Sequence, residues 1–232
     1  MIETGIELNN FLTDLNAGHE LDLTLSDVLV DTAKTIIESE RAWMVLRKVD
    51  STLSLTTANT WNTPVSIAGI TDFSQFYSDT PIRLFDGDGL VHYFSQVAFD
   101  RRLEYKNTSG TFCFDENAGN LYFNGTIPFN GTLYISYLAT SPAIDLESNS
   151  AVWSIFPSRF LPLLGFYAIG IYKGAVDYDS INRQMLPENR ATFDALKNAM
   201  VSWDNERQLS TITNNDPSGE DYEFRSRAVN RF

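Results

Sequence analysis

Cysteine and histidine are scarce in this 232-residue chain, and their scarcity limits its chemistry. The one cysteine, Cys113, cannot form an intramolecular disulfide, which excludes a disulfide-stapled secreted domain. The two histidines, His19 and His92, lie in a predicted loop and a predicted strand, without the HExxH spacing or cysteine partners of a zinc site. Cys113 stands between two phenylalanines of a predicted strand and points to the opposite face from both, so we interpret it as a strand residue and not as a nucleophile.

Basic charge and long apolar runs are also in short supply. The chain has 17 Lys and Arg against 30 Asp and Glu, a formal net charge of −13, whereas a protein that wraps nucleic acid is basic. Its N-terminus carries Glu3, Glu7 and Asp14 and no basic residue, unlike a signal peptide. The longest apolar stretch, 160–172, is too short to span a bilayer. We expect a soluble protein made in a reducing cytoplasm, without a membrane partner.

Catalytic and phosphate-binding signatures are missing too: the sequence contains no GxGxxG, GxxxxGK[ST] or GxSxG. The DGDG segment at 86–89 lacks the third acid and the closing Glu of a calcium loop, so a strand-connecting turn is favoured. Asp177 and Asp179 are two positions apart and would not face each other on a helix. We therefore expect no catalytic residue, no cofactor and no metal, and a protein that is not an enzyme.

The hydrophobic period changes twice along the chain, which predicts four regions. A helical segment at 1–42 is followed by a β-rich insertion at 43–145, by C-terminal helices at 146–209 and by an extended tail at 210–232. Helices with one apolar stripe must bury it, so we expect the helices on both sides of the insertion to pack together. The predicted fold class is α+β: a helical base, built from an N-terminal helix and a C-terminal helix pair, with an inserted antiparallel sheet or sandwich.

Caps and apolar stripes place the helices. Thr24 and Asp27 have capping-box spacing before a stripe that includes Val28, Leu29, Thr32, Ala33, Ile36 and Ile37. A shorter amphipathic piece around Phe11, Leu12 and Leu15 precedes it. After the insertion, Ser158 is the expected N-cap of a helix in which Gly170 and Gly174 allow close approach of another backbone, and residues 177–180 break that helix. Pro187 suits the first position of the next helix, whose apolar seam is Phe193, Leu196, Met200 and Trp203.

Short β-branched or aromatic runs separated by Asn/Gly turns indicate the strands of the insertion. The chain holds 16 Phe, 10 Tyr and 4 Trp, and we expect most rings of this region to fill its core. A carbohydrate-binding face made of stacked rings is the alternative. Trp43 and Trp153 lie at the two junctions between helices and insertion, and we expect both to be buried there.

The order of these landmarks resembles that of the head-to-tail adaptor, or connector, proteins of tailed bacteriophages. The resemblance covers about 25–210 and is carried by AKTII at 33–37, RAW at 41–43, LSLTTAN at 53–59, FCFDENAGNLYF at 112–123, GTLYISY at 131–137, Trp153 and FPSRF at 156–160. It implies a structural virion protein of the neck region, made in the host cytoplasm and without catalytic residues. It also implies a homo-oligomeric, twelve-fold ring that contacts the portal protein above and tail or neck proteins below.

The resemblance further implies that genomic DNA passes through the lumen of the ring without specific binding. Twelve copies at −13 would carry −156, and a like-charged wall does not hold phosphates. In the tail, Phe224, Phe232 and the three arginines have the composition of an interface anchor, because rings fill pockets and guanidinium groups form forked bonds with carboxylates; the arginines are Arg225, Arg227 and Arg231. We expect the tail to order on the portal or on a neighbouring protomer.

Two other classes of protein remain open at this stage. One is a different ring or tail component of a phage, such as a head-completion, collar or tail-terminator protein. The other is a monomeric β-sandwich module that binds carbohydrate.

Overall fold

The computed structural model describes residues 2–16, 18–19, 21–148, 153, 155–175, 178–184 and 187–213, and the chain divides into two compact units. The helical unit contains the residues up to Glu40 together with those from Ala143 onward, and the β unit is Arg41–Pro142. The predicted limits of the insertion, 43 and 145, lie within three residues of these boundaries. Helices and sheet are both present, so the α+β class is confirmed.

Five helices are described in the helical unit: α1 (Gly5–Leu15), α2 (Leu23–Ser39), α3 (Leu161–Tyr172), α4 (Tyr178–Gln184) and α5 (Pro187–Thr213). The first begins at a full capping box that the sequence reading overlooked. Thr4 Oγ1 accepts a hydrogen bond from the Glu7 amide at 3.2 Å, and the Glu7 carboxylate accepts one from the Thr4 amide at 3.1 Å. Leu8 and Leu12 then form the buried side of α1.

Helix α2 begins earlier than the sequence predicted. Its N-cap is Asp22, whose Oδ1 accepts a hydrogen bond from the Leu25 amide at 3.3 Å, so the predicted cap at Thr24 is wrong. An aspartate is as good an N-cap as a threonine. The helix therefore has two more residues at its start than a cap at Thr24 would give.

The predicted buried stripe of α2 is only half buried. Leu29, Ala33 and Ile37 are buried, as expected, but Val28 and Thr32 are exposed. A helix of period 3.6 drifts by about 40° every four residues, so a stripe two residues wide spreads beyond the contact with one neighbour. The outer half of the stripe therefore faces away from the helical unit.

Helix α3 is the centre of the helical unit and is buried on nearly all sides. A Cβ on Gly165 would lie 2.6 Å from the ring of Phe11, and one on Gly170 would lie 2.8 Å from Ile181, so these glycines let α1 and α4 approach. The close approach predicted at Gly170 involves a side chain and not a backbone. Gly174 instead ends the helix, with φ of +88° and nothing within 4 Å of a Cβ.

Three helices follow the β unit, and not the predicted pair. The segment expected to break the chain contains the start of α4 at Tyr178, while Ser158 belongs to a 3₁₀ turn (Ser158–Phe160) that precedes α3 and is capped by Pro157. Pro187 begins α5, as predicted. This helix continues to Thr213 and so includes the first four residues of the extended tail that was predicted at 210–232.

Eight strands form one sheet in the β unit: β1 (Arg47–Leu55), β2 (Val65–Ser66), β3 (Phe73–Phe76), β4 (Ile82–Phe85), β5 (Val91–Val97), β6 (Thr111–Asp115), β7 (Asn120–Phe123) and β8 (Gly131–Ala139). Their order is β1-β8-β4-β5-β6-β7-β2, and β3 also pairs with β8. The β5–β6 pair is parallel, so the prediction of a wholly antiparallel sheet is wrong. The connection at 98–110 makes this possible because it carries the chain back to the start of the next strand.

The sheet curls around a single core. Phe73 on β3 lies 5.5 Å from Phe114 on β6, and Phe76 lies 5.3 Å from Phe112, measured between ring centroids. In the sheet, β6 is three strands away from β8, the partner of β3. Two such strands can meet only if the sheet bends back on itself, so one curled sheet replaces the predicted sandwich. The core is rich in aromatic rings, as the sequence predicted.

Candidate functional site

The residues considered for metal binding or catalysis hold structural roles. In the described part of the chain, no group of three or more His, Cys, Asp or Glu side chains is placed to hold a metal. The carboxylate of Asp86 accepts hydrogen bonds from the amides of Asp88 and Leu90, at 2.8 and 3.0 Å, and so closes the DGDG turn. Cys113 is fully buried, and Asn124 Nδ2 donates to its sulfur at 3.6 Å.

His92 and one open groove are two further features of the β unit with polar or titratable groups. Burial lowers the pKa of His92, so the ring is neutral at pH 7. A groove of about 530 Å³ in the β unit is lined by Gln96, Val97, Ala98, Phe99, Phe114, Asp115, Glu116 and Asn117. Its titratable groups are two carboxylates, without a base or a cation that would assign them different roles. The absence of an enzymatic role remains a prediction.

Trp43 and Trp153, predicted at the junctions, are both buried. Trp43 belongs to the β unit, where the Arg41 guanidinium lies 5.2 Å from its ring centroid. Trp153 belongs to the helical unit, where its Nε1 donates to Glu38 Oε1 at 3.0 Å and its ring lies 4.4 Å from that of Phe156. Their role as a junction stays a prediction.

A polar cluster joins three helices within the helical unit. The Tyr167 hydroxyl donates to Glu40 Oε1 at 2.5 Å, Lys197 Nζ donates to the Tyr167 hydroxyl at 3.1 Å, and Lys197 also forms an ion pair with Glu40. Burial lowers the pKa of Lys197 to about 8, so the ammonium group is still charged at pH 7 and balances the carboxylate. The Glu40 side chain is still 25% exposed, so the ion pair is only partly buried and serves mainly to hold the three helices in place.

A basic segment on the β unit is the place where an acidic protein could still bind phosphate. It contains Arg101, Arg102 and Lys106, in the connection between the two parallel strands. Arg102 donates to the Trp61 carbonyl and to Asn62, both at 2.9 Å, and its guanidinium lies 3.9 Å from the ring centroid of Tyr122.

The other two cations of this segment are engaged as well. Arg101 forms a forked pair with Glu104 at 2.7 and 2.8 Å, and Lys106 Nζ lies 4.9 Å from the ring centroid of Trp61. The hydrogen bonds of Arg101 and Arg102 compete with a phosphate for the same donors. The segment is nevertheless exposed at Arg101, Leu103 and Lys106.

An uncharged helical surface is the feature that sequence reasoning assigned wrongly. Leu25, Val28, Thr32, Thr35 and Ser39 lie on the exposed side of α2, and we call them the α2 outer face. The sequence reading placed two of them, Val28 and Thr32, in the buried stripe. Periodicity shows that a helix has an apolar stripe, but it does not distinguish contact within one chain from contact with another.

The residues of the predicted tail anchor, Phe224, Arg225, Arg227, Arg231 and Phe232, lie outside the described residues. Their role stays a prediction from composition. None of the described helices is long and apolar enough to cross a membrane. No protein-family model and no curated protein sequence matches the chain. The assignment of a function therefore depends on its own residues and geometry.

Proposed function

We propose that this chain is a head-to-tail adaptor of a tailed bacteriophage, a structural protein that forms a ring between portal and tail and surrounds the DNA channel. The observation that carries the proposal is the division of the chain. Helices from both ends form one unit, and the β unit Arg41–Pro142 is inserted between them. In the ring, the helical unit would serve as the base and would bring equivalent helices of neighbouring copies together.

The distribution of charge supports this proposal. The helical unit contains 21 acidic and 10 basic residues, and the β unit contains 9 and 7, so the helical unit carries most of the negative charge. Helices that line a DNA channel need such a balance, because a basic wall would hold the phosphates during passage. The hydrogen bonds that Arg101 and Arg102 already make within the basic segment fit a protein that does not hold DNA.

The packing of aromatic rings favours the adaptor over the carbohydrate-binding module. Phe94, Phe112 and Phe123 are fully buried in the β unit, whereas Tyr93 and Phe99 are 46% and 40% exposed. Sugar-binding platforms need ring faces that are open to the ligand.

Deletion of the gene in the phage that encodes this chain tests the proposal. We expect DNA-filled heads and free tails that do not join, with infectivity restored when the chain is supplied in trans. Loss of a tail terminator would instead leave tails of uncontrolled length, and loss of a head-completion protein would leave heads that lose their DNA. Either of those particle types would contradict the adaptor and favour the corresponding alternative.

A further inference from the structure

The α2 outer face exposes large apolar side chains to water. Val28 is 59% exposed and Leu25 is 40% exposed. The five residues recur at spacings of three, four, three and four, so they form one continuous side of the helix. This side is about 20 Å long, at 1.5 Å per residue.

The hydroxyl groups of this face are already used within the helix. Thr32 Oγ1 donates to the Val28 carbonyl at 2.7 Å, Thr35 Oγ1 donates to the Asp31 carbonyl at 2.8 Å, and Ser39 Oγ donates to the Ile36 carbonyl at 2.9 Å. In both threonines the donated bond leaves the methyl group to cover the helix surface. Another apolar surface can therefore cover this face without leaving these hydroxyl groups buried and without a hydrogen bond.

A second side that is uncharged from 191 to 202 occurs in the same unit, on α5, and exposed Glu206 lies one turn beyond it. We call it the α5 outer face; its exposed residues are Ala191, Thr192, Ala195, Asn198, Ala199 and Ser202. Phe193, Met200 and Asp204 hold the opposite side of this helix against the unit. The α5 outer face is about 17 Å long, and its small side chains leave room for bulky ones.

Charge indicates what covers these two faces. The helical unit has a net charge of −11, from 21 acidic and 10 basic residues, so two copies repel each other over most of this unit. The α2 outer face and the α5 outer face contain no charged residue; Asp31 flanks the first, and Glu206 lies one turn beyond the end of the second. Through these two surfaces a second copy of the same acidic unit can approach with few opposing like charges.

We propose that the α2 outer face of one copy docks on the α5 outer face of the next. The bulky Leu25 and Val28 would pack between the alanines of the partner helix, as ridges of one helix fit grooves of another. The two faces are different, so the contact is heterologous. A copy that uses one face in a contact keeps its other face free to bind a further copy. This inference deepens the proposed function, because it names the surfaces through which the ring would close.

Cysteine cross-linking of the full chain tests the contact. The native Cys113 is fully buried and stays in place, and the native chain is the baseline. Under mild oxidation we expect the double variant Val28→Cys/Ala195→Cys to give a ladder of covalent multimers. A mixture of the two single variants should give covalent dimers and no larger species, because each copy then holds only half of the contact.

The matched control is Val28→Cys/Leu103→Cys, since Leu103 is 75% exposed but lies in the β unit. Cross-linking of the double variant no stronger than in this control would overturn the inference. Dimers formed by Val28→Cys alone would overturn it as well, because they would show a contact between two copies of α2.

Failure of the inference and failure of the proposed function give different results. Rings or portal complexes that form without the cross-link between α2 and α5 would refute this contact and leave the adaptor function standing. A covalent ladder from a chain that never associates with a portal would support the contact and refute the adaptor function.

Discussion

Trp153 combines a buried indole with a backbone conformation that L-amino acids rarely adopt. Its φ is +52°, in the left-handed region, where a bulky side chain costs about 1–3 kcal/mol. The side chain is 4% exposed, contacts Phe156 and donates to Glu38. The contacts of the side chain must therefore offset the free-energy cost of this backbone conformation. Removal of the ring removes those contacts and leaves the cost in place.

We predict that Trp153→Ala lowers the free energy of unfolding by about 3–5 kcal/mol, through the cavity and the lost hydrogen bond to Glu38. Trp153→Gly is the matched variant. It leaves the same cavity but relieves the positive φ, so it should be no less stable than the alanine variant, although glycine usually costs more. Chemical denaturation of both variants gives the comparison. Unchanged stability of Trp153→Ala would refute the structural role of the indole.

Asp72 provides a test of electrostatics in the β unit. Burial alone would raise the pKa of this carboxyl, but hydrogen bonds from Lys48 and Tyr137 hold the pKa below its usual value. The folded state then binds this proton more weakly than the unfolded state does. The contribution to stability is present above the ordinary pKa and is lost as the pH falls through the lowered one.

We predict that Asp72→Asn lowers the free energy of unfolding by about 0.5–1 kcal/mol at pH 7, a modest loss because the carboxylate is 31% exposed. The difference between wild type and variant should shrink as the pH falls from 5 to 2. Urea unfolding at a series of pH values measures it. A difference that stays constant down to pH 2 would show that the ion pair and hydrogen bonds to Asp72 do not stabilise the fold.

At the scale of single residues, the sequence predicted the burial of Trp43 and Trp153 but not the N-cap of α2. Both tryptophans are buried, because large apolar side chains have few alternatives. The N-cap at Asp22 was missed because Thr24 has the same local chemistry two residues later. The positive φ of Trp153 has no signal in the sequence, since it results from tertiary contacts.

At the scale of elements, α5 changes where the tail begins. This helix is described to Thr213, so the truncation that tests the tail should follow that residue. We predict that deletion of 214–232 leaves the melting temperature of the remaining chain nearly unchanged and abolishes incorporation into particles. The reason is compositional: the tail is rich in Asn, Asp, Ser and Gly and cannot bury much apolar surface within its own subunit.

A substitution variant separates the anchor from simple loss of chain length. Replacing Arg225, Arg227 and Arg231 by lysine keeps the charge but removes the forked geometry, so incorporation should fall while melting stays the same. Particles that incorporate the truncated chain normally would contradict the anchor.

The sequence predicted the positions of strands and helices better than it predicted their partners. Short apolar runs with Asn/Gly turns placed the strands within the insertion. The parallel β5–β6 pair could not be predicted from them, because the direction of pairing depends on where the connection at 98–110 leads. The helices were located by period. The α2 outer face was misread because a stripe has the same pattern whether it is covered by its own chain or by another.

At the scale of the whole molecule, the distribution of charge predicts whether the chain binds DNA. The seven cations of the β unit, Arg41, Arg47, Lys48, Arg83, Arg101, Arg102 and Lys106, each contact an aromatic ring, a carboxylate or a carbonyl within that unit. We predict no binding of duplex DNA by micromolar protein at physiological ionic strength. A gel shift that weakens as salt rises would contradict a channel wall that only lets DNA pass.

The most direct test of the central proposal is electron microscopy of the full chain mixed with the portal protein of the same phage. We predict closed rings of the chain stacked coaxially on the portal, with a central opening wide enough for duplex DNA. Both proteins should be present at about 10 micromolar, a concentration at which weak specific contacts form. A chain that remains monomeric in the presence of the portal under these conditions would contradict the proposal.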